Sequence, residues 1–111
     1  MPLDQALVER VLTVVGRIPA GNVSTYGEVG KCAGVGPRYV GRVLRVHGAD
    51  APWWRVIRSD ATSHDPHRAV EHWRREGIEF HGDPPKVVMH RHGLDHHDLD
   101  YAGNGTDIQQ S

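Results

Sequence analysis

The sequence predicts a mainly α fold, winged helix-turn-helix-like, with short β elements. Three observations carry that reading. A helix capped at Thr25 ends in the tight connector "GVG". A second helix then opens on Gly36-Pro37 and carries an arginine stripe. The only β-leaning stretches, "PWWRVIR" and "GIEF", are short. Two helices joined by a tight glycine turn form the local pattern of a helix-turn-helix.

Each element has its own warrant. Asp4 precedes "QALVERVLTVVGRI", where Val8, Val11, Leu12 and Val15 repeat at helical spacing, so an amphipathic helix is expected to end at Gly16. Pro19, Gly21 and Asn22 break it. Thr25 followed by Glu28 has capping-box spacing and starts a helix from Tyr26 to about Ala33. Pro37 stands where its missing N–H costs nothing, and the next helix runs to about His47. Val40, Val43 and Leu44 form its inner stripe, while Arg38, Arg42 and Arg45 lie on another face. "PWWRVIR" is expected to be extended or a turn into a strand. Asp65-Pro66 opens a further helix with Ala69, Val70 and Trp73 inward and Gly77 closing it. "GIEF" reads as a short strand or a packed helix exit, and "KVVM" as a segment folding back on the body. From Gly93 onward apolar residues thin out, so residues 1–92 are expected to form the domain and 93–111 a flexible acidic, histidine-containing tail.

The chain has 111 residues, a net charge of −1 and one cysteine. That length suits one domain with a single core. A lone thiol excludes an internal disulfide and suits a reduced, cytoplasmic setting, nucleoid-associated in a bacterium. No secretory leader or membrane span is expected. The charge is unevenly spread. Between Gly30 and Arg58, Lys31, Arg38, Arg42, Arg45, Arg55 and Arg58 face only Asp50; from Asp95 on there are aspartates and no lysine or arginine. A basic middle and an acidic end read as a binding face and a solvated tail.

Several stretches together resemble one family. "RIPAGNVSTYGEVG" is similar to the opening of the DNA-binding domain of O6-alkylguanine-DNA alkyltransferases, and "GPRYVGRVL" to its recognition helix. "PWWRVI" stands where that family has Pro-Cys-His-Arg-Val, and "RREGIEF" resembles the end of its last helix. The likeness covers about residues 4–80. The family's nucleophilic cysteine is replaced by Trp53, and an indole has no thiol to accept an alkyl group. This replacement marks the alkyltransferase-like proteins, which bind alkylated guanine without repairing it. Those proteins typically keep a histidine next; here it is Trp54. Glu76 matches the glutamate that supports that histidine, with both partners gone.

The resemblance implies a winged helix-turn-helix-like DNA-binding domain and no catalytic residue. Arg38 would enter the base stack, and Tyr26 would rotate the phosphate of the flipped nucleotide. Thr25, Gly41, Arg42 and Arg45 complete the expected DNA-binding set. Gly41 is read either as close approach to the minor-groove backbone or as tight helix packing. Trp53, Trp54, the Val56 backbone and Tyr26 would form the lesion pocket, with core packing the competing reading for Trp54. The implied partners are duplex DNA containing O6-alkylguanine and nucleotide excision repair proteins, with a monomeric protein, no cofactor and no metal. Cys32 is read as a buried structural cysteine. His90, His92, His96 and His97 suggest incidental metal affinity rather than a site. The alternative function is a sequence-specific helix-turn-helix transcription factor on undamaged, palindromic DNA.

Overall fold

The computed structural model describes residues 3–103. Helix α1 (Gln5–Gly16) starts where the Asp4 carboxylate accepts the Ala6 and Leu7 N–H groups. It buries Val8, Val11, Val14 and Val15. Strand β1 (Ser24–Thr25) leads directly into α2 (Tyr26–Ala33). Thr25 Oγ1 accepts the Glu28 N–H at 3.1 Å, which is half of a capping box. The other half is missing because the Glu28 carboxylate is taken by His96 and Lys31.

Helix α2 stops at Gly34, which adopts φ 78°. A side chain at Gly30 would collide with the Val35 carbonyl oxygen, so this glycine lets the turn fold tightly against α2. Helix α3 (Pro37–His47) follows and buries Val40, Val43 and Leu44. "PWWRV" is a single 3-10 turn over Trp53–Arg55 that enters strand β2 (Val56–Ile57). β2 pairs in parallel with β1, Ser24 opposite Val56 and Thr25 opposite Ile57. That pairing ties the tryptophan turn to the start of α2.

Helix α4 (Pro66–Glu76) begins at the Asp65 cap and ends at Gly77 with φ 73°. Its Trp73 is fully buried, as the periodicity predicts. Strands β3 (Phe80–His81) and β4 (Lys86–Val87) form an antiparallel hairpin, the wing. The mainly helical fold with short β elements is therefore as the sequence predicts. Among the described residues no helix is long and apolar enough to cross a membrane.

The expected domain limit at residue 92 does not match the described structure. After the short helix α5 (Met89–His92), Leu94 donates its N–H to the Val23 carbonyl, and Ser24 Oγ bonds the Leu94 carbonyl. Helix α6 (His96–Gly103) then packs on α2 with Leu99 fully buried. One fully buried leucine contributes about 1.5–3 kcal/mol. It is reinforced by the Glu28–His96 pair and by Cys32–Asp100. A composition average dilutes one such anchor among polar neighbours. The rest of the expected tail, residues 104–111, lies outside the described residues.

Candidate functional site

Two adjoining cavities open beside α3. The first, about 310 Å³, is lined by Tyr26 at the start of α2, by Pro37, Arg38, Gly41, Leu44 and Arg45 of α3, and by Arg58 and His64. The second, about 250 Å³, is lined by Leu44, Arg45, Val46, Gly48, Ala49, Trp53, His64 and Arg68. Leu44, Arg45 and His64 belong to both. Four arginines surround this space, and neither lining contains a carboxylate. Arg38, Arg45 and Arg58 make no ion pair and no side-chain hydrogen bond among the described residues. Uncompensated guanidinium groups around a concave, partly apolar surface favour a polyanion carrying flat apolar groups.

Gly41 resolves one open question. A Cβ there would meet nothing within 4 Å, so the glycine is not demanded by helix packing. It leaves the α3 backbone bare on the wall of the first cavity.

Trp53 is 6 % exposed and stands on the wall of the second cavity. Its ring is met edge-on by His64 at 5.3 Å and His72 at 5.7 Å, with the Arg68 guanidinium 5.1 Å over it. Tyr26 Oη lies 3.2 Å from His64 Nδ1. Tyr26 and Trp53 thus occupy neighbouring cavities bridged by His64. Desolvation raises the Tyr26 pKa, against the Arg58 and Arg45 cations, so the phenol keeps its proton.

Trp54 and Val56 do not line either cavity, contrary to expectation. Val56 is fully buried in the β1–β2 pair, and its N–H is spent on the Trp53 carbonyl. The Trp54 ring turns away from Trp53 at 87° and stacks on His72, with centroids 3.7 Å apart. Its indole N–H donates to Glu76 Oε2 at 2.9 Å, and its carbonyl accepts the Trp73 indole N–H. Glu76 also accepts Arg55 through Nε and Nη2 and the Gly21 N–H. Burial pushes the Glu76 pKa up, but the Arg55, Gly21 and Trp54 bonds outweigh it and hold the carboxyl below its usual range. Arg55 Nη1 reaches the Ile18 carbonyl. The glutamate therefore has new partners, and Trp54 is one of the groups that fasten the tryptophan turn to α4.

Two other expected contacts are placed elsewhere. Thr25 is occupied as the α2 cap and lines neither cavity. Arg42 is exposed on α3, away from both linings. His64 and Arg68 were not foreseen as site residues, and Arg58 was read only as part of the basic middle. They lie on the β2–α4 connection and the first turn of α4, and only the packing of that segment against α3 brings them in. Cys32 is half-buried rather than buried. Its thiol donates to Asp100 Oδ1 at 2.9 Å and contacts Arg17, neither of which lines a cavity. Desolvation and then Asp100 push its pKa up to about 11. The clustered histidines diverge: His92 bridges Gly21 and Glu79, and His96 binds Glu28. Among the described residues no three His, Cys, Asp or Glu side chains converge as metal ligands.

The family model "6-O-methylguanine DNA methyltransferase, DNA binding domain" matches residues 6–78. The chain belongs to this family. Within it, a DNA base-flipping protein of Vibrio parahaemolyticus is 40 % identical over 85 residues, covering 69 % of this chain and 84 % of the relative. A DNA base-flipping protein of Escherichia coli is 39 % identical over 66 residues, covering 56 % of this chain and 51 % of that longer relative. Among solved structures, S. pombe Atl1 in complex with damaged DNA containing O6-carboxymethylguanine superposes with a TM-score of 0.72 and 26 % identity, covering 86 % of this chain and 99 % of that one. S. pombe ATL in complex with DNA gives a TM-score of 0.63 and 30 % identity, covering 78 % and 90 %. The family match spans α1 to α4 and ends before β3.

Proposed function

We propose that this protein recognises O6-alkylguanine in duplex DNA, turns the damaged nucleotide out of the stack into the paired cavities beside α3, and holds it without chemistry. The observation that carries the reading is the site itself: two joined cavities ringed by Arg38, Arg45, Arg58 and Arg68, with an indole and no thiol on their walls. The relatives named for base flipping and for complexes with damaged DNA support it. Base flipping costs a few kcal/mol of lost stacking, less for a poorly paired lesion. Arg38, exposed at the start of α3 on the cavity rim, fills the vacated position, and a planar guanidinium suits that role. Tyr26, at the N-terminus of α2, crowds the phosphate of the turned nucleotide with the bulk of its ring.

Trp53 stands where the enzymes carry their cysteine, and the protonated Cys32 thiol is committed to Asp100 outside the cavities. No alkyl group is transferred, so a partner must complete repair; nucleotide excision repair proteins are the partners proposed. The test is a titration of duplexes carrying guanine, O6-methylguanine or a bulkier O6-alkylguanine, with analysis of the lesion afterwards. The expected result is tighter binding of both lesions, an unchanged lesion, and a loss of about 1–3 kcal/mol for Arg38→Ala. Equal affinity for damaged and intact duplexes, or preference for an undamaged palindrome, would overturn it.

A further inference from the structure

His64 is placed where a reader of the base would have to stand. It is one of three residues shared by the two cavities, and its ring lies edge-on to Trp53. One nitrogen, Nδ1, is held by Tyr26 Oη at 3.2 Å, and the other, Nε2, has no hydrogen-bond partner among the described residues. His64 is exposed, so the free nitrogen is not sealed in the core. Leu44 is apolar and Arg45 permanently charged, so neither of the other shared residues offers a neutral, planar donor.

The 3.2 Å contact admits either direction, and the Tyr26 hydroxyl is taken as the donor. The phenol keeps its hydrogen, and when it donates to Nδ1 the neutral ring bears its N–H on Nε2. Lost hydration, together with the Arg58, Arg68 and Arg45 cations and against the pull of Asp65, lowers the His64 pKa and favours that neutral ring.

Guanine and O6-alkylguanine differ at the edge such a donor would meet. Guanine N1 carries a hydrogen and donates. Alkylation at O6 fixes the tautomer without that hydrogen, so N1 becomes an acceptor. A fixed donor is matched by the lesion and opposed by the normal base. A site built on a directed hydrogen bond discriminates through the group left unpaired in the wrong complex.

Resting on the proposed function above, we infer that His64 is a specificity-determining residue whose Nε2–H, aimed by Tyr26, separates O6-alkylguanine from guanine by its bare N1. The experiment uses the full chain and duplexes carrying guanine, O6-methylguanine or 1-deaza-O6-methylguanine, which lacks the N1 acceptor. Wild type, His64→Phe and His64→Gln are titrated against each. Phenylalanine keeps a ring against Trp53 without a nitrogen; glutamine restores a donor near the Nε2 position.

The expected result is that His64→Phe loses about 2- to 12-fold in affinity for O6-methylguanine, the range of one net hydrogen bond. Its affinity for the guanine duplex does not fall, which reports an intact fold. His64→Gln recovers the lesion preference. The deaza duplex binds wild type and His64→Phe alike. A wild type that prefers the lesion while His64→Phe keeps the same preference overturns this inference alone. A wild type with no lesion preference overturns the proposed function and this inference with it.

Discussion

Gly41→Ala separates stability from binding in opposite directions. Gly41 lies inside α3, where glycine costs about 1 kcal/mol relative to alanine. A Cβ at that position finds nothing within 4 Å, so no clash offsets the gain. For about 100 ordered residues the unfolding entropy near the midpoint is about 0.2 kcal/mol/K, so Tm should rise by about 5 °C. The same methyl group would stand on the wall of the first cavity, where the family resemblance implies close approach of the DNA backbone to α3. Inserting a methyl group into a close-packed contact costs about 1–3 kcal/mol. That corresponds to roughly 5- to 150-fold weaker binding of O6-methylguanine DNA. Thermal unfolding and a lesion-DNA titration on the same preparation read both effects. A stabilised variant that binds lesion DNA as well as wild type would refute the assignment of this wall to DNA approach. A destabilised variant would refute the reading of Gly41 as open space. Gly30→Ala is the contrast: its methyl would meet the Val35 carbonyl, so Tm should fall.

Other consequences concern the supports of the site. Glu76→Ala leaves Arg55 without its carboxylate in a partly buried pair, with side-chain exposures of 17 % and 13 %, and should cost about 3 kcal/mol in denaturant unfolding. Trp54→Phe keeps the ring over His72 but removes the indole N–H, and should cost about 1 kcal/mol. Glu28 has its pKa lowered to about 2, first by the His96 side-chain hydrogen bond. A depressed carboxyl pKa stabilises the fold above its unfolded value near 4.5 and loses that contribution as pH falls toward 2. Carboxyl NMR titration should therefore find the Glu28 midpoint far below 4.5, with α6 loosening only in that acid window; a midpoint near 4.5 would contradict the α2–α6 contact. For Cys32, intact-protein mass after incubation with O6-methylguanine DNA should show no added methyl group, because a thiol with pKa about 11 supplies almost no thiolate at neutral pH.

What the sequence by itself determined is what local chemistry determines. Asp4, Thr25, Gly36-Pro37, Asp65-Pro66 and Gly77 mark helix ends because a cap is a contact between near neighbours in the chain. Tyr26, Arg38, Gly41 and Arg45 were named through the family resemblance, and the structure sets them along one cavity. The tryptophan turn was harder to read, because adjacent residues in a 3-10 turn point in different directions. Which indole faced a cavity and which faced Glu76 depended on where α4 packed, about 20 residues further on. Only the tertiary structure decided that His64 would meet Tyr26 across 38 residues and that His96 would take Glu28 across 68. It also decided that Leu99, with the Leu94 and His96 hydrogen bonds, would hold residues 93–103 on the body. Such contacts leave no periodic trace in the sequence. Each is one side chain finding one partner after the chain has closed, and its energy exists only once the helices between them are in place.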